Sequence, residues 1–109
     1  METKHTDLVN IVKDEFLKNK FLVELEKPLP LGKGAVDVFA QKGDLKIYME
    51  LKSSPASINS KKANSQLKRY KEVFGKDNLY CLVSPGSDGL PRIQSLDGKI
   101  NCSLNDFYN

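Results

Sequence analysis

The chain of 109 residues has one histidine, His5, and two cysteines, Cys81 and Cys102. So few imidazoles argue against a histidine-based catalytic triad, and against a zinc centre of the usual histidine and cysteine donors. The cysteines stand alone, without metal-ligand spacing, and read as free thiols of a cytosolic protein. No apolar run approaches the roughly 20 residues of a membrane span, so no membrane partner is expected. The opening "METKHTDLVN" lacks the apolar core of a secretion signal, which points to a cytoplasmic, intracellular setting. Repeats, linkers and a change of composition that would mark a second domain are all missing.

What the chain does have is enough apolar material for one small core. Hydrophobic residues make up 39% and charged residues 28%, a balance that fits a single folded domain over residues 1–109 rather than disorder. The net charge of +3 is small, but its distribution is uneven. From Lys52 to Lys76 the chain carries Lys52, Lys61, Lys62, Lys68, Arg69, Lys71 and Lys76 against Glu72 alone. Such a cluster can neutralise phosphates, or it can be the solvated face of a lysine-rich helix.

Periodicity organises the rest. Residues 6–19 read as a helix, with Thr6 as N-cap and Leu8, Ile11, Val12 and Phe16 at helical spacing. Glu15 falls inside that apolar stripe, either aimed at a polar site or at the stripe's frayed end. "FLVELE", residues 21–26, alternates as a strand and stops at Pro28 and Pro30. Residues 35–41 and 45–52 form a hairpin with Gly43 in its turn. In its second strand Leu45, Ile47, Met49 and Leu51 face one way, and Lys46, Tyr48, Glu50 and Lys52 the other. "SSPASINS" is a polar connection to a helix from about Ser60 to Phe74, closed by Gly75. Ala63, Gln66, Leu67, Tyr70 and Phe74 share one face of it. "NLYCLVS", residues 78–84, is a strand buried on both sides, and the tail holds the turns "PGSDG" and "LDGK" with one weak hairpin.

An acidic residue two before a lysine occurs four times, but only Glu50 and Lys52 lie inside a strand, side by side on one face. Asp37 precedes them on the neighbouring strand, within reach of Glu50. Two adjacent carboxylates repel, and one would normally hold a proton. A hard divalent cation such as Mg²⁺ removes that penalty, and it is typically held by one or two carboxylates with waters and substrate phosphate. An aspartate, a glutamate and a lysine so placed suit metal-dependent phosphodiester hydrolysis. A sheet-edge salt-bridge cluster is the structural alternative.

The pattern "GAVD" followed by "MELK" resembles the PD-(D/E)XK nuclease superfamily, with Val36 in place of the proline. The resemblance covers about residues 6–84, including the element order. It implies an α/β fold with the restriction-endonuclease-like αβββαβ core, a central mixed sheet flanked by helices. It implies a metal-dependent nuclease acting on nucleic acid, more often DNA, with Mg²⁺ replaceable by Mn²⁺. Asp37, Glu50 and the backbone carbonyl of Leu51 would bind the metal, and Lys52 would orient the attacking water. Glu15 matches the first-helix glutamate of archaeal Holliday-junction resolvases. Gln66 and Tyr70, in "QLKRY", match the Gln-x-x-x-Tyr of RecB-type nucleases and would buttress the site. Lys61, Lys62, Lys68 and Arg69 would contact phosphates. Junction cleavage would need a symmetric homodimer, for which the tail "INCSLNDFY" could supply an interface. The alternative is a catalytically inactive nuclease-fold module for nucleic-acid binding or protein assembly.

Overall fold

The computed structural model describes residues 5–32, 34–54, 56–86 and 90–108. These form six strands and three α-helices in the order α1 (His5–Lys18), β1 (Leu22–Pro28), β2 (Ala35–Lys42), β3 (Leu45–Leu51), α2 (Ala56–Phe74), β4 (Leu79–Pro85), β5 (Pro91–Ser95), β6 (Asn101–Ser103) and α3 (Leu104–Phe107). A single 3₁₀ turn, Pro30–Gly32, joins β1 to β2. The sheet order is the chain order, β1 to β6. Every neighbouring pair is antiparallel except β3 with β4. That one parallel pair needs a crossover, and α2 provides it. The class is therefore α/β with a mixed sheet, as the sequence led us to expect. No helix of the described residues is long and apolar enough to cross a membrane.

Alternation along the strands sorts the core into two layers. Val38, Ala40, Ile47, Met49, Cys81, Val83 and Ile93 meet Leu8, Val12 and Phe16 of α1 on one face. Val36, Phe39, Tyr48, Tyr80 and Leu82 meet Ala63, Leu67 and Tyr70 of α2 on the other. α1 lies over β1, β2 and β3, whereas α2 lies over β3 and β4. β4 carries helices' partners on both faces, and Tyr80, Cys81, Leu82 and Val83 are all buried, as the apolar run "LYCLV" requires.

Several boundaries differ from the sequence reading. α1 begins at His5, so Thr6 is inside the helix and not its cap. α2 begins at Ala56, so most of "SSPASINS" is helix and not a connection. β1 runs on to Pro28, which an edge strand tolerates because its outer N–H positions need no partner. Lys52 lies one residue past β3, and its N–H donates to the Val83 carbonyl at 3.0 Å. The turn "PGSDG" falls largely on residues 87–89, outside the described residues. Gly75, with φ 100°, closes α2 as expected, its N–H donating to the Lys71 carbonyl.

The tail is the larger surprise. β5 and β6 extend the sheet beyond β4, and Leu104 is buried. Phe107 and Tyr108 pack on Phe16, and Tyr108 also on Phe21. These side chains pack against the α1 layer, Leu104 fully and Phe107 and Tyr108 in part. The opposite edge is blunted. β1 ends in Glu24, Glu26, Lys27 and Pro28, and Glu26 adopts φ 51°, features that discourage strand addition.

Phe16 is fully buried and edge-on to both Phe21 and Tyr108. Phe16→Ala is expected to destabilise the fold by about 3–5 kcal/mol, read from urea unfolding. A loss below about 1 kcal/mol would show that α1 and the tail do not share one core.

Candidate active site

Asp37 stands where the regular sheet breaks. Residues two apart on a strand normally share a face, yet Val36 is buried in the α2 layer and Val38 in the α1 layer. The chain therefore rotates at Asp37. The neighbouring ladder shows the same break. β1 and β2 pair at Leu25↔Val38 and again at Lys27↔Val36, with Glu26 in the left-handed region between them. On the other side, pairing of β2 with β3 runs from Lys42↔Leu45 to Val38↔Met49. One step further Asp37 faces Glu50. There the Asp37 side chain takes over from the backbone, its Oδ2 accepting the N–H of Leu51 at 2.8 Å.

Glu50 points to the α2 layer and is only 6% exposed. The Tyr70 hydroxyl donates to its Oε2 at 2.9 Å and lies 3.4 Å from the Ala35 carbonyl oxygen. Burial, then a hydrogen bond to Asp37 and the charge of that carboxylate, push Glu50 up from 4.5 to about 8. The hydroxyl of Tyr70 and the charge of Lys52 oppose the shift without cancelling it. The same surroundings push the Tyr70 phenol up, by burial first and by Glu50 second. Near neutrality Glu50 of the metal-free site thus keeps its proton beside Asp37.

The donor set suits a hard cation. Two carboxylates in contact, with the Leu51 backbone bound to one of them, offer oxygen donors. A divalent charge would replace the Glu50 proton and relieve the repulsion. Among the described residues no group of three or more histidine, cysteine, aspartate or glutamate side chains gathers to hold a metal, so the pair would be completed by backbone, water and substrate.

The other expected members divide. Lys52 is half-buried beside Glu50. Gln66 is half-buried one turn before Tyr70 on the same flank of α2. Glu15 is not among the groups that act on Glu50. The Lys42 ammonium donates to the Asn19 carbonyl at 3.1 Å, which ties the end of α1 to the turn end of the hairpin. Asp37 lies about 16 Å away along β2, at about 3.3 Å per residue. Glu15, one turn before Asn19, instead raises the pKa of Tyr108. The reason lies in the helix. Its buried arc runs from Leu8 through Val12 and Phe16 to the partly buried Val9, leaving Ile11 41% exposed and Glu15 just outside the rim.

The cations divide too. Helical geometry puts Lys62 and Arg69 on the Gln66 flank of α2, which looks toward β2 and the exposed side of β1. Lys61 and Lys68 lie outward, and Lys68 turns to the opposite flank with Lys71 and Lys76. Lys27 was not anticipated. It stands over the Phe39 ring at 4.9 Å on β1, on the far side of the same face, and "ELEKP" gave no cue beyond alternation. Ala35, whose carbonyl lies near Tyr70, carried no signal at all. Comparison of the chain with protein-family models, with curated proteins and with solved structures finds no match to any of them.

A carboxyl whose pKa is raised on folding binds its proton more tightly in the folded state. The stability it contributes is complete below about pH 4.5 and is lost as pH rises through about 8. Urea unfolding of the metal-free protein should therefore show stability falling by a few kcal/mol between about pH 5 and about pH 9. Asp37→Asn should flatten that decline and stabilise the protein at the alkaline end. If Asp37→Asn weakens the protein equally at both pH values, the carboxylates are not in conflict.

Proposed function

We propose that this chain is a small divalent-metal-dependent nuclease of the PD-(D/E)XK type. One observation carries the reading: Asp37 and Glu50 meet at a kinked strand, with Glu50 held protonated by burial and by its neighbour. A structural salt bridge lowers a carboxyl pKa, and here the direction is the reverse. Burying two acids together is costly without a cation. The order of elements from α1 to β4, with an antiparallel β1–β2–β3 meander, a crossover helix and a parallel β4, is compatible with the core that the motif resemblance implies.

In this proposal Asp37, Glu50 and the Leu51 carbonyl would hold Mg²⁺ or Mn²⁺. The bound ion would neutralise charge on the phosphoryl oxygens and favour deprotonation of the nucleophile. Lys52 places its ammonium beside the same edge, where it orients an attacking water and stabilises the developing charge. Water adds to phosphorus in line, and the bond from phosphorus to the leaving oxygen breaks. Tyr70 fixes the rotamer of Glu50 through its hydroxyl, and Gln66 lies beside the site on the same helix flank. Lys62 and Arg69 on one side and Lys27 on the other would grip phosphates across the β1–β2 face, giving affinity without sequence reading. Glu15 takes no part. DNA is the proposed substrate over RNA, on the resemblance alone.

The test is incubation of labelled single-stranded, duplex and branched DNA, and of RNA, with Mg²⁺ or Mn²⁺. Cleavage should appear with metal and stop with a chelator. Asp37→Ala and Lys52→Ala should each reduce it by about a hundredfold or more, with folding retained by circular dichroism. Binding that needs no metal and yields no products would replace the enzyme by a nucleic-acid-binding module.

A further inference from the structure

A groove of about 620 Å³ lies on the flank of α2 turned away from Asp37. It is walled by Lys68, Lys71 and Lys76 and floored by Tyr80 and Leu96 of the α2-side layer, with Asp97 at its rim. We propose that it holds the part of a single nucleic-acid strand that extends beyond the phosphodiester at the carboxylates. This placement deepens the nuclease reading and rests on it for the strand's other end.

The groove is rigid and its charge is available. The Leu96 N–H donates to the Tyr80 carbonyl at 2.8 Å, which fixes the turn after β5 to the start of β4. The Tyr80 hydroxyl in turn donates to the Gly75 carbonyl oxygen and accepts from the Asn78 amide. The Asp97 carboxylate is occupied within its own turn, accepting from the Ser95 hydroxyl at 2.6 Å and the Lys99 N–H at 3.0 Å. It therefore shapes the rim while the three ammonium groups, opposed by Glu72, leave the walls cationic. Lys68 and Lys71 are separated by about 4.5 Å of helix rise, close enough to follow successive phosphates. A cationic wall above an apolar floor is the arrangement that holds a single strand, with phosphates outward and bases inward. A duplex or an acidic peptide would make no use of the apolar floor of Tyr80 and Leu96.

The groove also lies along the path from the site. Glu50 is level with Leu82 on β4, and Leu79 is three residues further down, an offset of about 10 Å along the strand, so a nucleic-acid strand passing over α2 needs more than the about three nucleotides of that offset. Lys61 and Lys68, on the outward face of α2, span the helix between the two places. Grip should therefore require a strand longer than a trinucleotide.

The experiment measures binding in the absence of divalent metal, so that no strand is cut. Fluorescence anisotropy compares a labelled single strand long enough to reach both places with a labelled trinucleotide, for the native chain and for Lys71→Ala with Lys76→Ala. These positions are exposed, and circular dichroism confirms that the variant folds. The long strand should bind the variant about tenfold more weakly, and the slope of affinity against salt should fall by about 1.4, for two phosphates at about 0.7 each. Trinucleotide binding should not change. Unchanged affinity and slope for the long strand would overturn the proposal. So would inorganic phosphate or an acidic peptide displacing the strand from these lysines as well as an unlabelled strand does. Cleavage by the native chain with both lysines silent would sink the groove and leave catalysis standing. Lysine-dependent binding by a chain that cuts nothing would do the opposite.

Discussion

Two acidic side chains share one end of a hairpin, and much of the local structure is arranged around that contact. Asp37 gives up regular strand geometry to reach the Leu51 N–H. Glu50 is held to its proton by burial first and by Asp37 second. Tyr70, from a helix twenty residues further along the chain, closes the cluster with its hydroxyl. Such a contact weakens the metal-free fold above neutrality. The proposed compensation is a divalent ion, which turns a repulsive pair into a ligand pair.

The fold explains how so short a chain can present this pair. α1 lies over β1, β2 and β3 on one face, and α2 lies chiefly over β3 and β4 on the other, with Val36 and Phe39 of β2 in the same layer. The exposed part of the α2 face lies beside Asp37, flanked by α2 and by Lys27. β5, β6 and α3 complete the core behind it and widen the sheet on the side of the groove. The proposed site and the groove are thus separated by α2, and the cations of that helix serve both flanks.

The parts of this arrangement legible in the sequence were those with a strong local signal. The hairpin, the facing of Glu50, the doubly buried β4 and the Gly75 cap all follow from periodicity or from glycine's freedom at positive φ. Tyr70 was legible only through its spacing from Gln66, and its contact with Glu50 is a tertiary fact. Glu15 was misplaced because a helical stripe has two possible rims. Burial of Val9 in preference to Ile11 rotates the helix by tens of degrees and carries Glu15 to the edge. The start of α2 was misjudged because serine and asparagine, poor helix formers, occupy its first turns, and packing further along overrides that preference. The kink at Asp37 has no sequence signature. It depends on Glu26 of the adjacent strand, a non-glycine residue at φ 51°.

The tail shows the same limit in another form. "INCSLNDFY" looks like an apolar surface when read alone, and part of it joins the core once β5 and β6 join the sheet, with Leu104 buried and Phe107 and Tyr108 against Phe16. A short segment with scattered aromatics does not reveal which partner it covers, because that depends on a strand pairing far along the chain from the α1 surface it packs on. The proposed catalytic reading stands or falls on whether the acidic pair binds metal. The most direct measurement is a crystal soaked in Mn²⁺ and read for anomalous scattering. A peak between Asp37 and Glu50, within coordinating distance of both carboxylates and absent in Asp37→Ala, is the predicted result. Full soaking with no peak there, while the two side chains keep their contact, would contradict it.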